Sequence, residues 1–227
     1  MSRPGVVAAC ALFLVAGPGW MSQANAVDFR VMEYRGQRVL LIQDERKSDR
    51  HPNGGSILYN DAKRFEAALK EGGPITEVLF DSRGGSERDG LAIGRAIRRY
   101  GLATRIPSGA ICASACADAF LGGVARRVED GGRYGIHMPT IAASPETVQK
   151  ILGMIEKERA AGLDGVQRLI YEIEKLSAQS ASRWAAYVLQ MGASIRIVDA
   201  GTRYLASQMN WLNRKELMDL NVVNVDD

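Results

Sequence analysis

The stretch EVLFDSRGGS, residues 77–86, carries the strongest prediction about how this chain folds. Its apolar run 78–80 is typical of a short buried strand. The adjacent glycines Gly84 and Gly85 then allow the backbone to turn sharply and to present its amides to a ligand. The alternative is an ordinary strand-to-helix turn. In either case the stretch predicts a buried strand that runs directly into a helix.

The sequence on both sides of this stretch alternates between strand and helix patterns. Downstream, Ile93, Ala96 and Ile97 recur at helical spacing, and Gly101 is placed to cap that helix. The other predicted strands cover 28–33, 37–43, 102–106, 125–128, 133–137 and Val222-Val223, and the other predicted helices begin near 58, 113, 146 and 213. Strands alternating with helices predict an α/β layered fold with mainly parallel pairing.

The N-terminal 26 residues have the pattern of a signal peptide. Arg3 precedes an apolar run over 6–16, which is too short to span a bilayer comfortably, and Ala24 and Ala26 supply the small residues before a cleavage site. An uncleaved anchor is the alternative. We expect cleavage after Ala26, a single domain over 27–227 and a periplasmic or secreted location. Loss of Arg3 lowers the net charge from +3 to +2, which gives no indication of a nucleic-acid partner.

The mature chain would keep two cysteines, Cys112 and Cys116. An oxidising compartment would allow them to bond, but the enclosed loop is very short, so a disulfide and free thiols both stay open. Together with the distant His51 and His137 they form no recognisable zinc spacing. We expect neither a metal nor a cofactor.

Two residues are candidates for acyl-transfer chemistry. Ser114 lies among small residues at a predicted helix start, where free amides and the helix dipole would favour a developing anion. The alternative role for Ser114 is a helix N-cap. His137 ends an apolar strand and could act as a general base, or it could be a hydrogen-bonded core histidine.

Four segments together resemble the Clp protease proteolytic subunit and its relatives: 80–86, 90–93, 112–115 and 135–139. The resemblance implies a ClpP/crotonase-like superhelix of ββα units and a serine protease that assembles into rings. It implies that Ser114 is the nucleophile and His137 the base. It also implies that the amides of Gly85 and Ala115 form the oxyanion hole. An exported relative would work without the cytoplasmic ATPase partners.

The chain departs from this family pattern in three places. Arg83 stands where the family usually has proline, and a helical region is inserted after Pro139. The third catalytic residue of the family is an aspartate, and its position falls on Met209 here. Asn210 is the nearest polar residue and could orient the histidine. The other acids downstream of His137 are Asp164 and Asp199.

The main functional hypothesis is therefore an exported serine peptidase acting on peptide or protein substrates. The alternative is a non-catalytic Clp-fold protein that binds peptides or scaffolds an assembly. A peptidase that uses Lys150 or Lys157 as its base would leave His137 unexplained, and a crotonase-type coenzyme A enzyme does not require Ser114 with His137. We also expect self-association, because the helices between Glu146 and Leu189 carry more apolar face than one small sheet needs.

Overall fold

A computed structural model describes residues 27–45, 56–140 and 145–225 of the chain. The expected signal peptide and His51 lie outside these ranges. The strands are β1 (Val27–Tyr34), β2 (Gln37–Asp44), β3 (Glu77–Asp81), β4 (Ala103–Ile106), β5 (Ile111–Ala113), β6 (Arg126–Val128), β7 (Arg133–Ile136) and β8 (Asn210–Leu212). The helices are α1 (Asp61–Glu71), α2 (Glu87–Tyr100), α3 (Ala115–Leu121), α4 (Pro145–Ala160), α5 (Gly162–Gln190), α6 (Arg196–Thr202) and α7 (Arg214–Asp219).

The larger sheet has the strand order β1-β2-β3-β4-β6. Strand β1 is antiparallel to β2, while β2, β3, β4 and β6 run parallel, with Leu41 opposite Leu79 and Leu79 opposite Arg105. The apolar run of β3 is buried, as a strand covered on both faces requires. The α/β class expected from the sequence is confirmed, and the sheets are mixed.

A smaller sheet, β5-β7-β8, sits against the end of β3. Strand β5 is parallel to β7, and β8 is antiparallel to β7. The two sheets meet where Ser82 N–H donates to Ile111 O at 2.8 Å and Ala113 N–H donates to Ser82 O at 3.1 Å. This junction brings the residues that follow β3 next to the residues that follow β5.

Helices α2 and α3 pack at very short range. A side-chain carbon on Gly90 would lie 2.9 Å from Ala115 Cβ, so only glycine permits this approach. Ser86 caps the N-terminus of α2, because its hydroxyl accepts a hydrogen bond from Asp89 N–H. Gly101 caps the C-terminus in the left-handed conformation expected for such a cap. The close pair positions the N-terminus of α3 beside the start of α2.

The predicted closing strand at Val222-Val223 is wrong. Both residues are buried, but their amides donate to Leu217 O and end α7 instead of joining a sheet. Arg126 donates to the carbonyls of Val222 and Asn221 at 2.8 and 2.7 Å, which binds this C-terminal segment to β6. The carbonyls of this buried segment therefore bind a guanidinium group instead of a neighbouring strand. Burial of that group lowers the pKa of Arg126 to about 10.

Within the three described ranges, no helix combines the length and apolar character needed to cross a membrane.

Candidate active site

The structure brings Ser114 and His137 into direct contact. Ser114 Oγ lies 2.8 Å from His137 Nε2, although the two residues are 23 positions apart. Ser114 ends the loop between β5 and α3, and His137 follows β7. Because β5 and β7 are parallel neighbours, with Ala113 opposite Gly135, the residues that follow them meet at the same edge of the small sheet.

The hydrogen bond made by His137 Nδ1 determines whether Nε2 can accept a proton. Nδ1 lies 2.7 Å from the backbone oxygen of Met138, and a carbonyl oxygen only accepts. Nδ1 therefore carries the proton in this arrangement, and in the neutral ring Nε2 is left as an acceptor for the Ser114 hydroxyl. This is the tautomer that a general base requires.

Ser114 occupies the N-cap position of α3, as the alternative raised by the sequence expected, but its hydroxyl does not cap the helix. Its side chain makes no capping hydrogen bond, and its backbone has φ 57° and ψ −129°, which a residue with a side chain adopts at a cost of about 1–3 kcal/mol. Two backbone bonds hold this conformation: Ser114 N–H donates to Gly135 O at 3.0 Å, and Asp118 N–H donates to Ser114 O at 3.2 Å. The turn directs the hydroxyl to His137 instead of to α3.

A disulfide between Cys112 and Cys116 encloses this turn. The two Cα atoms are 5.2 Å apart, and both side chains are fully buried. The bond joins the middle of β5 to the second residue of α3, with Ser114 midway between them. The question that the sequence left open is thus answered in favour of the disulfide.

The amides of Gly85 and Ala115 are the candidate oxyanion hole. Ile57 N–H donates to Gly84 O at 2.8 Å, and Ser86 N–H donates to Ile57 O at 2.7 Å. These bonds leave the intervening Gly85 N–H facing away from Ile57, as alternation along a strand requires. Ala115 opens α3, where the amide has no partner within the helix. Within the described ranges neither amide donates to another protein group.

Gly84 allows the chain before Gly85 to approach the start of α3 closely. A side-chain carbon at this position would lie 2.8 Å from Ala115 N and 2.9 Å from Ser114 Cβ, and it would clash with Ala113 O. The residue also has φ 95°, which favours glycine. The double glycine of the sequence therefore allows the end of β3 to lie directly against the turn that holds Ser114.

The structure does not bring Asn210 to His137. The Asn210 amide donates to Ala200 O at 3.1 Å, and Asn210 lies opposite Ile136 in the β7–β8 ladder. Extending this register by one residue places Met209 opposite His137. The Met209 side chain also packs on β7, because its Cγ would lie 2.9 Å from a Cβ atom added to Gly135. A thioether thus occupies the position at which the resemblance implies an acid.

Among the described residues, none of the other polar candidates has a hydrogen bond to Ser114 or His137. Asp199 forms an ion pair with Arg203, and Asp164 is exposed in the first turn of α5. Lys150 and Lys157 are on α4, and no hydrogen bond connects either lysine to Ser114 among the residues that the structure describes.

Two acidic residues that the sequence did not single out line the same small cavity as Ser114 and His137. This cavity, of about 30 Å³, is also bounded by Glu87, Asp118 and Trp184. Trp184 Nε1 donates to Asp118 Oδ1 at 2.8 Å, while burial and then the nearby Glu87 charge raise the pKa of Asp118 to about 7. The sequence did contain a signal, because Asp118 is the one charged residue in the otherwise apolar helix α3.

The site therefore combines a hydroxyl, a base in the required tautomer and two amides that no group in the described part of the chain accepts from, which together can perform acyl transfer. Compared with models of known protein families and with curated proteins, the chain matches none of them.

Proposed function

We propose that this protein is an exported serine peptidase-like hydrolase that works without ATP. The observation that carries the proposal is the 2.8 Å contact between Ser114 Oγ and His137 Nε2. The unoccupied amides of Gly85 and Ala115 next to this contact support it further. The chemistry needs no metal or cofactor, because every proton and electron pair moves between these groups, the peptide and water.

The proposed reaction begins when His137 Nε2 takes the proton of Ser114 and Oγ attacks the peptide carbonyl carbon. The carbonyl oxygen becomes an oxyanion, which accepts hydrogen bonds from the Gly85 and Ala115 amides. His137 then gives its proton to the leaving amine as the C–N bond breaks. A water molecule attacks the acyl-enzyme with His137 as base, which releases the acid and restores the serine hydroxyl.

The group that binds His137 Nδ1 predicts a low catalytic rate. Met138 O is a neutral acceptor, whereas the family uses a carboxylate, and a charged acceptor stabilises an imidazolium more strongly. The arrangement thus supports a Ser-His dyad with its ring oriented by the backbone. The position of Met209 also favours the second candidate function, a non-catalytic Clp-fold protein that binds peptides or scaffolds an assembly.

We also propose that the fold is a ClpP/crotonase-like superhelix. Two successive units support this: β4-β5-α3 and β6-β7-α4 each place their first strand in the larger sheet and their second strand in the smaller one. A repeating ββα unit wound in this way is what the resemblance implies. The disulfide supports export, because such bonds persist in oxidising compartments.

Labelling by a fluorophosphonate probe tests the proposed function. Wild type is expected to form a covalent adduct at Ser114, while Ser114→Ala and His137→Ala are expected to form none. Matched controls are Ser182→Ala, an exposed serine on α5, and His51→Ala, the other histidine of the chain; both should label like wild type. Thermal unfolding should show all four variants folded, because Ser114→Ala removes a single hydrogen bond of about 1 kcal/mol.

Equal labelling of wild type and Ser114→Ala would contradict the enzyme proposal. So would the absence of labelling in every oligomeric state. Either result would favour the peptide-binding or scaffold function.

A further inference from the structure

One carboxylate oxygen of Glu87 lacks the hydrogen bond that buried polar atoms normally have. Its Oε1 atom is buried, and no donor among the described residues reaches it. Leaving a buried acceptor unsatisfied costs about 1–3 kcal/mol, and such atoms are rare in native structures. Burial also raises the pKa of Glu87, against the opposing effects of the Arg183 charge and the Ser180 hydroxyl. A bound ligand that donates a hydrogen bond would remove this cost.

Glu87 lies between the Ser114–His137 cavity and a larger one. The larger cavity, of about 460 Å³, has Glu87 and Pro139 in common with the small cavity. A peptide whose carbonyl carbon lies at Ser114 would therefore direct a neighbouring side chain past these two residues. We call the larger cavity the α5 pocket, because helix α5 supplies much of its wall.

The α5 pocket has apolar walls and a small polar group of residues. Met138, Leu176 and Ala181 supply apolar surface, while Ser180 and Arg183 accompany Glu87. This combination suits a side chain with an aliphatic stem and a polar end.

The charged residues around Glu87 determine which polar group at the end of a substrate side chain the pocket favours. A carboxylate on the substrate would be repelled by Glu87. A cationic end would meet Arg183 in the same pocket, and Arg88 lines an adjoining cleft that also includes Glu87. A carboxamide avoids both conflicts, because its N–H can donate to Glu87 and its oxygen can accept from Arg183.

We propose that the α5 pocket binds the carboxamide side chain of a glutamine residue adjacent to the scissile bond, with Glu87 Oε1 accepting its N–H. The inference rests on the proposed function and adds a substrate class to it. Glu87 is then a specificity-determining residue, and Ser114 and His137 perform the chemistry.

The test compares diphenyl phosphonate probes that are identical except for the side chain next to phosphorus. Glutamine, methionine, glutamate and lysine side chains have similar lengths and differ in their ends. The second-order rate constant for labelling of Ser114 is measured for each probe. A hydrogen bond to a charged group predicts that the glutamine probe reacts about tenfold faster than the methionine probe, and faster than the other two.

Variants at Glu87 test whether this residue is responsible. Glu87→Leu removes the acceptor at similar volume and should abolish the preference for glutamine over methionine. Glu87→Gln retains an acceptor oxygen and should keep a preference of about fivefold. The ratio of two probe rates within one variant cancels any general change in reactivity. Glu172→Leu, an exposed glutamate on α5 that pairs with Lys175, is the matched control and should keep the full preference.

The plain fluorophosphonate separates this inference from the function on which it rests. Labelling by fluorophosphonate together with equal rates for all four side chains would overturn the glutamine pocket and leave the peptidase proposal intact. A preference that survives in Glu87→Leu would overturn it as well. No fluorophosphonate labelling of wild type would overturn both.

Discussion

At the scale of single residues, the conformation of Ser114 explains why a serine at the N-cap position of α3 does not cap the helix with its hydroxyl. A capping serine has an extended backbone and bonds an amide of the first turn. Ser114 instead has a positive φ, and its hydroxyl bonds His137. Strain of this kind persists only where the surroundings hold it, and here the Gly135 carbonyl and the neighbouring disulfide do so.

Asn210→Ala is expected to leave the rate of fluorophosphonate labelling unchanged. The Asn210 amide donates to Ala200 O, and the His137 ring is hydrogen-bonded to Met138 O. Removing the amide therefore breaks no hydrogen bond of the ring. Labelling kinetics at one pH, with His137→Ala as the inactive reference, measure the effect. A drop of more than about tenfold would mean that Asn210 orients the ring during the reaction.

Asp118→Asn is expected to reduce the pH dependence of stability. Burial raises the pKa of Asp118 to about 7, whereas an unfolded aspartate titrates near ~4, so the folded state binds the proton more tightly. The stabilisation from this protonation is complete below about pH 4 and is lost as the pH rises to about 7, a span of at most about 4 kcal/mol.

The measurement for Asp118 is the free energy of unfolding by denaturant between pH 4 and pH 8. The asparagine keeps an oxygen for Trp184 Nε1, so the variant should be more stable than wild type at pH 8 and no more stable at pH 4. The exposed Asp130→Asn is the control. Parallel stability curves for wild type and Asp118→Asn would contradict the expected titration.

At the scale of elements, α3 is held in place chiefly by its surroundings. It has only seven residues, too few to be stable alone. Tyr134 and Tyr187 donate their hydroxyls to the carbonyls of Ala117 and Asp118, and Gly90 allows α2 to pack against its first residue. The N-terminus of α3, and with it the Ala115 amide, is thereby fixed next to Gly84.

The double variant Cys112→Ala/Cys116→Ala is expected to lose stability and to label more slowly at Ser114. A bridge that closes so short a loop contributes about 2 kcal/mol, and here it also holds the turn that contains the nucleophile. Denaturant unfolding and labelling kinetics measure the two effects.

Thiol titration of the denatured, unreduced mature protein checks the bond itself and should find no free thiol. Two thiols per chain in protein recovered from the periplasm or medium would contradict the disulfide. Labelling of the double variant at the wild-type rate would contradict its role in holding the turn.

At the scale of the whole molecule, α4 and α5 expose apolar side chains along their length. Leu163 is 88% exposed, and Met154, Ile155 and Ile170 are also exposed. These residues lie after Pro139 and, being exposed, do not cover either sheet. A contiguous exposed apolar patch is typical of an interface, and we expect these side chains to form one.

Self-association through this surface is expected at micromolar concentration. Sedimentation velocity of the mature protein should show a species larger than the monomer, and Leu163→Glu/Ile170→Glu should shift it to monomer because a buried charge would be unpaired. Leu205→Glu, at another exposed leucine that lies outside α4 and α5, should leave the assembly unchanged. A purely monomeric wild type would contradict the expectation.

The sequence by itself determined the order of the longer strands and of the first three helices, because that order follows from local periodicity and from glycine turns. The buried strand predicted around 78–80 is observed as Glu77–Asp81, and Gly101 is the cap that the sequence predicts. The short strands β5 and β8 were missed, since three residues carry too little pattern to be recognised. Val222-Val223 was wrongly predicted as a strand, because a buried apolar pair can belong to a strand or to a segment whose carbonyls bind a side chain. Here the Val222 carbonyl binds Arg126.

For the site, the sequence identified Ser114 and His137 by residue type and surroundings, and the tertiary structure determined that they meet. Their contact depends on the parallel pairing of β5 with β7, which no local pattern encodes. The same pairing, extended to β8, places Met209 instead of an acid opposite the histidine and directs Asn210 to Ala200. Residue chemistry is a local property of the chain, whereas the partner of each side chain is set by sheet register and helix packing over long range.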